Sequence, residues 1–96
     1  MFKEIEPKKV QEMQEEGSVN VVDIRDSNSY STGHIPNSVP LNDANVKEYI
    51  ETTDKEKPLV VCCYHGNSSR GAAEYFSQQG FKEVYSMTGG YAAWPA

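Results

Sequence analysis

The chain has 96 residues, two cysteines and a formal net charge of -5. This length predicts one domain over residues 1–96, large enough to bury a core without disulfides. The negative charge argues against nucleic acid as a partner, because phosphate binding needs a positive surface. No apolar run approaches the roughly 18 residues of a membrane span. The N-terminus also lacks the apolar segment of a signal peptide. We therefore expect a cytoplasmic protein, with no membrane partner and with reduced cysteines.

Strands and helices are predicted to alternate along the first half. Residues 3–5 suit a short strand, and Pro7 suits the first position of a helix that ends near Gly17. Residues 19–25 are rich in β-branched side chains and form the clearest second strand. The polar stretch 26–29 and residues 30–38 are predicted as loop and turn.

Three polar side chains in this half need an interpretation. Asp23 and Arg25 close the second strand, where sites form in parallel sheets, but we favour a structural ion pair over a site wall. His34 lies in the predicted turn, and a lone histidine is usually structural. Because no second ligand sits at metal spacing, we expect no metal site.

The second half continues the alternation. A brief strand is predicted at 39–41, followed by a helix that Asn42 and Asp43 cap. A strand is predicted at 59–63, and the helix after it ends at Gly80. The last elements are a strand at 84–87, a bend at 89–90 and a helical turn at 91–94. About five short strands alternating with helices predict an α/β domain with a mainly parallel five-stranded sheet flanked by helices.

The two adjacent cysteines are predicted to differ. Because neighbouring strand residues point to opposite faces, Cys62 is expected to fill the core and Cys63 to end the strand under a polar loop. The N–H groups and positive dipole end of the following helix favour an anion there, such as a thiolate. We therefore predict that Cys63 is the reactive residue.

Several cysteine chemistries fit the loop poorly. A dithiol oxidoreductase needs a resolving cysteine, and Cys-x-x-Cys is absent. A cysteine phosphatase needs an arginine six residues after the nucleophile, and that position is Ser69, with Arg70 one further on. An amidase or peptidase needs a histidine base. His65 lies on the same tight loop as the thiol, so this geometry is doubtful but stays open.

These residues carry a resemblance to a known family. The narrowest element is the run Cys-Tyr-His-Gly-Asn-Ser-Ser at 63–69, and it is accompanied by Val-Val-Asp-Ile-Arg at 21–25, Gly-His-Ile-Pro at 33–36 and Gly-Gly-Tyr-Ala-Ala-Trp at 89–94. From about Val19 to Trp94 the chain resembles the single-domain rhodaneses of the thiosulfate sulfurtransferase type. It departs from them at Pro95-Ala96, beyond which they usually continue.

The resemblance implies a three-layer rhodanese-like fold and an enzyme that moves sulfane sulfur. Cys63 is expected to carry the sulfur as a persulfide, taken from thiosulfate with release of sulfite and passed to cyanide, a dithiol or a thioredoxin-like protein. The residues implied to bind substrate are Tyr64, His65, Gly66, Asn67, Ser68 and Arg70. No cofactor or metal is implied, and we expect a monomer or weak homodimer. The alternative is a persulfide carrier or docking module loaded by another protein.

Overall fold

The computed structural model describes residues 1–95, so Ala96 lies outside the described part of the chain. The strands are β1 (Lys3–Ile5), β2 (Asn20–Asp23), β3 (Val39–Pro40), β4 (Leu59–Cys62) and β5 (Val84–Met87). The helices are α1 (Pro7–Glu15), α2 (Ser27–Thr32), α3 (Val46–Thr52), α4 (Ser68–Gln78) and a final 3₁₀ turn, Tyr91–Ala93. Within these residues no helix is long and apolar enough to cross a membrane.

All pairings in the five-stranded sheet are parallel, and the strand order is β1-β5-β4-β2-β3. The chain moves outward from β2 to β3, returns through α3 to the central β4, and then moves the other way to β5. The carboxyl ends of β2 and β4 therefore flank a topological switch point, where sites form in open α/β sheets. The predicted α/β class and parallel sheet are confirmed.

Two apolar clusters cover the two faces of the sheet, which gives the three expected layers. The first cluster contains Val22, Leu59, Val61, Ala73 and Phe76 together with residues of α3. The second contains Ile5, Val10, Val21, Val60 and Cys62, with Tyr91 and Trp94 packed against it. The alternation of Val60 and Val61 between these clusters is the period-2 pattern of a strand buried on both faces.

The end of α4 is formed as predicted. The N–H of Gly80 donates to the carbonyl of Ser77, and the N–H of Phe81 donates to that of Phe76. The Phe76 and Phe81 rings meet edge to face with centroids 5.7 Å apart. This is the Schellman ending with its apolar contact, and it fixes the α4–β5 connection.

One helix was wrongly predicted as loop and turn. Residues 27–32 form α2, which begins where the Asp26 side chain accepts the N–H of Ser29 at 2.8 Å. The helix has no buried residue, so it lacks the apolar stripe on which the prediction depended. The only sequence signal for this helix was Asp26 as its N-cap.

Several boundaries also differ from the prediction: β3 ends at Pro40 and β4 at Cys62, each one residue earlier than expected. Two further differences have a visible cause. β2 ends at Asp23, because the Asp23 carboxylate accepts the backbone N–H of Arg25 at 2.9 Å and turns the chain. The α3 helix begins at Val46, after Asn45. The Asn42 side chain instead accepts the N–H groups of Ala44 and Asn45 in a turn before the helix.

Candidate active site

Cys63 follows β4 directly, at the carboxyl edge of the sheet. Cys62 belongs to the apolar cluster on one face, while the Cys63 sulfur contacts Ser69 of α4 on the other side. Both thiols are free. The two cysteines therefore lie in separate environments, as the strand alternation predicts.

Two N–H donors and one hydroxyl group surround the Cys63 sulfur. The N–H groups of Gly66 and Ser69 lie 3.1 and 3.3 Å from Sγ, and the Ser69 hydroxyl lies 3.2 Å from it. Cys63 is only 3 % exposed. We call these three groups the donor ring. Such an arrangement of amides and a hydroxyl stabilises negative charge on sulfur.

The sulfur occupies the place of a helix cap. Asn67 precedes α4 but makes no side-chain cap hydrogen bond, and the Ser69 N–H, in the first turn, donates to Cys63 instead. Among residues 1–95, the N–H groups of Asn67 and Ser68 take part in none of the loop or cap hydrogen bonds. Unpaired N–H groups at the start of a helix favour a bound anion.

These contacts set the ionisation of the two thiols. Burial acts to raise the pKa of Cys63, but hydrogen bonds from the Ser69 hydroxyl and from the N–H groups of Ser69, Gly66 and His65 outweigh it and lower the pKa below its ordinary value. Burial and the nearby Asp23 carboxylate raise the pKa of Cys62 to about 12. Cys63 is therefore the better nucleophile of the pair at neutral pH.

Two glycines let the loop close tightly. Gly66 has φ +89°, and a Cβ there would lie 2.8 Å from the backbone nitrogen of Gly89. Gly90 has φ +62°, and a Cβ there would lie 2.5 Å from the carbonyl oxygens of Cys63 and Tyr64. The turn after β5 thus packs directly on the cysteine loop, where the N–H of Tyr91 donates to the Cys63 carbonyl at 2.7 Å.

Asp23 and Arg25 form a buried ion pair beside this loop. The Arg25 guanidinium donates through Nε and Nη2 to the carboxylate, with a shortest distance of 2.8 Å, and through Nη2 to the Gly33 carbonyl at 2.7 Å. It also stacks on the Tyr91 ring at 4.2 Å. The hydrogen bonds to Asp23 raise the pKa of Arg25. These contacts agree with the predicted structural role, because they tie β2, the turn at Gly33 and the final 3₁₀ turn together.

His34 likewise has a structural place. Its Nδ1 lies 2.8 Å from the Tyr30 carbonyl, and its ring stacks on Tyr30 with centroids 3.8 Å apart. No group of three His, Cys, Asp or Glu side chains within residues 1–95 is arranged to hold a metal ion.

The other predicted site residues surround Cys63 unevenly. Tyr64 and His65 are exposed on the rim, and the Tyr64 hydroxyl contacts Asp26 and Ser29 at the start of α2. Gly66, Asn67 and Ser68 complete the loop. Arg70 is exposed and lies near Glu4 of β1, with a closest nitrogen–oxygen distance of 3.9 Å. Its part in binding substrate stays a prediction.

Sequence reasoning missed two hydroxyl groups. Ser69 contacts the Cys63 sulfur directly, and Ser86 of β5 contacts Ser69 with the two Oγ atoms 2.7 Å apart. Ser69 lies six residues after the cysteine, within the narrow run at 63–69. Ser86 carries no local signal, because only the parallel pairing of β4 with β5 brings it close.

The fold and this site together define a class, namely an α/β protein that holds a cysteine sulfur in an amide loop at the end of a central parallel strand. A family model described as "Rhodanese-like domain" matches residues 6–96. The chain belongs to this family.

Curated relatives resemble the chain over almost its full length. It is 47 % identical over 95 residues to the thiosulfate sulfurtransferase GlpE of Pseudomonas savastanoi pv. phaseolicola, covering 99 % of this chain and 89 % of the relative. The identity to GlpE of Shewanella oneidensis is also 47 %, over 93 residues, covering 97 % of this chain and 92 % of the relative.

Solved structures show the same fold. A rhodanese-related protein from Thermoplasma volcanium superposes with a TM-score of 0.81 at 28 % identity, over 97 % of this chain and 90 % of that one. A human single-domain sulfurtransferase reaches a TM-score of 0.84 at 15 % identity, over 98 % and 96 % of the two chains. At that identity the second comparison supports the fold alone.

Proposed function

We propose that this protein is a thiosulfate sulfurtransferase that works through a persulfide on Cys63. The Cys63 thiolate attacks the outer sulfur of thiosulfate, the sulfur–sulfur bond of thiosulfate breaks, and sulfite leaves with the bonding electron pair. Cys63 then carries the extra sulfur with one negative charge. A nucleophilic acceptor attacks that outer sulfur and restores the thiolate. The near-full-length similarity to GlpE proteins supports this chemistry.

The observation that carries the proposal is the donor ring around the Cys63 sulfur. It favours the ionised nucleophile in the resting enzyme. The open N–H groups of Asn67 and Ser68 are suited to hold the outer sulfur of the persulfide or an oxygen of thiosulfate. The exposed side chains of Tyr64, His65 and Arg70 would then contact the substrate at the rim.

The class of acceptor and the absence of a cofactor requirement follow from this chemistry. The acceptor is cyanide, a dithiol or a thioredoxin-like protein, since each presents a nucleophile to the persulfide. Every step uses only the cysteine and its hydrogen-bond donors, so the proposed reaction requires no cofactor. We further propose a single domain over residues 1–96 that acts in the cytoplasm as a monomer or weak homodimer.

The test is the intact mass of the protein before and after thiosulfate, and again after cyanide. The proposal expects a gain of one sulfur atom that cyanide removes as thiocyanate. Cys63→Ser is expected to show no gain, while Cys62→Ser behaves as the parent. No gain in the parent protein would contradict the proposal. Loading only from a partner's persulfide, without turnover of thiosulfate, would instead indicate a sulfur carrier.

A further inference from the structure

Two buried hydroxyl groups form a hydrogen-bond chain from β5 to the Cys63 sulfur. The Ser86 Oγ lies 2.7 Å from the Ser69 Oγ, which lies 3.2 Å from Cys63 Sγ. Ser69 is 0 % and Ser86 1 % exposed, so bulk water does not readily replace either partner. Among residues 1–95, the only hydrogen-bond partner of the Ser86 hydroxyl is Ser69.

The direction in which these hydroxyl groups donate depends on the protonation state of the sulfur. Each serine hydroxyl has one proton and can donate once. With a neutral thiol, the S–H donates to Ser69 and the Ser69 hydroxyl is free to donate to Ser86. With a thiolate, Ser69 must donate to sulfur, so Ser86 must donate to Ser69. The thiol proton leaves to solvent, and both serines keep their own protons.

We propose that Ser86 is a positioning residue, which donates to the Ser69 oxygen and so commits the Ser69 proton to the Cys63 thiolate. The inference rests on the proposed role of Cys63 as the nucleophile. A hydroxyl that itself accepts a hydrogen bond is a stronger donor, because bonds in a chain polarise one another in a low-dielectric interior. Ser86 thereby stabilises the thiolate without touching it.

Within residues 1–95, no charged side chain donates a hydrogen bond to the Cys63 sulfur. When the sulfur is a thiolate, its donors are the backbone N–H groups of Gly66 and Ser69 and the Ser69 hydroxyl. Burial raises the pKa of the nearest thiol, Cys62, which therefore stays neutral. Arg70 of α4 lies near Glu4 of β1. Glu4 in turn is the register partner of Ser86 in the sheet. The titratable and charged side chains on the elements packed around the two serines are Lys3 and Glu4 of β1, Cys62 of β4, Arg70, Glu74 and Tyr75 of α4 and Tyr85 of β5, with Tyr64 and His65 on the loop.

The experiment is the pH profile of iodoacetamide alkylation at Cys63, followed by intact mass. In Ser69→Ala the midpoint should rise, and the rate below the midpoint should fall about tenfold, because a bond to the charged sulfur is lost. In Ser86→Ala the midpoint should rise less, with a rate about threefold lower. Ser86→Thr keeps a hydroxyl and should restore the profile. Ser38→Ala is the matched control, since Ser38 is buried but donates to the Ile35 carbonyl.

The double variant Ser69→Ala/Ser86→Ala distinguishes this relay, in which Ser86 acts on Cys63 through Ser69, from a general effect on packing. If Ser86 acts through Ser69, Ser86→Ala adds nothing in a Ser69→Ala background. An unchanged profile in Ser86→Ala, or an equal further loss in the double variant, would overturn the inference. Alkylation needs no sulfur donor, so the outcome is independent of thiosulfate turnover. A parent protein that takes no sulfur but shows the expected profiles would refute the proposed function and leave the relay standing.

Discussion

The two neighbouring cysteines lie in surroundings that act on them in opposite directions. Both are buried, with Cys62 0 % and Cys63 3 % exposed, so burial alone would raise the pKa of each thiol. The Cys62 S–H points to the Cys63 carbonyl at 3.6 Å, and its pKa rises to about 12. The Cys63 sulfur receives the loop and helix donors, and its pKa falls.

This difference indicates that the pKa of Cys63 is lowered by the Ser69 hydroxyl and by backbone N–H groups of the loop, and not by exposure to solvent. One residue along the strand moves a side chain from the apolar cluster to the first turn of α4. There the unpaired N–H groups of a helix start are available, and the helix dipole has the favourable sign. No positively charged side chain is among the groups that lower the pKa of Cys63.

Exchange of the cysteines for serine should give the largest contrast. Cys63→Ser is expected to abolish sulfur transfer, because the nucleophile is removed. Cys62→Ser is expected to keep most of it, because Cys62 faces the opposite cluster. Steady-state turnover of thiosulfate and cyanide measures both, with circular dichroism as the folding control. If Cys62→Ser were folded but inactive and Cys63→Ser were active, the assignment of Cys63 as the nucleophile would be wrong.

The Cys62 side of the sheet can be perturbed through its ion pair. Arg25→Ala leaves the buried Asp23 carboxylate without its partner, so we expect a loss of about 3 to 5 kcal/mol in the free energy of unfolding. Urea denaturation measures the loss. Arg70→Ala serves as the control, since this exposed arginine should contribute less than about 1 kcal/mol. Equal stabilities of the two variants would contradict a scaffold role for Arg25.

The Cys63 side can be perturbed through the loop backbone. Gly66→Ala places a Cβ at positive φ and 2.8 Å from the Gly89 nitrogen, so the loop must shift and move its donors. A displacement of this kind is expected to lower transfer roughly a hundredfold. Gly71→Ala is the matched control on α4, where nothing lies within 4 Å of the new Cβ. Turnover by Gly66→Ala at the parent rate would show that the loop does not depend on this close contact.

Arg70 is expected to have the smallest effect. Since its side chain is exposed and lies near Glu4, Arg70→Ala should raise the KM for thiosulfate by at most about fivefold at low salt, and by less as salt is added. Lys9→Ala, another exposed cation, is the control. Kinetics at two ionic strengths measure the effect. A loss of thiolate reactivity as complete as that of Cys63→Ser would make Arg70 essential and would refute the donor-ring account.

Much of this arrangement was predictable from sequence, because periodicity and local chemistry determine it. The strand ending at the cysteines, the loop at 63–68 and the Schellman ending at Gly80 depend on neighbouring residues. The helix α2 was missed because it buries nothing, and Ser86 was missed because only tertiary pairing brings β5 beside the loop. The orientation of Arg70 toward Glu4 also depends on packing between α4 and β1, which no local pattern contains.

The most direct test of the central claim is a pH titration of alkylation that reads both thiols in one protein. Native protein is treated with iodoacetamide at a series of pH values, and peptide masses report modification at Cys62 and Cys63 separately. The account predicts modification at Cys63 alone, with a midpoint below that of an unperturbed cysteine, because the donors favour the thiolate. A Cys63 midpoint at or above the unperturbed value, or earlier modification of Cys62, would contradict it.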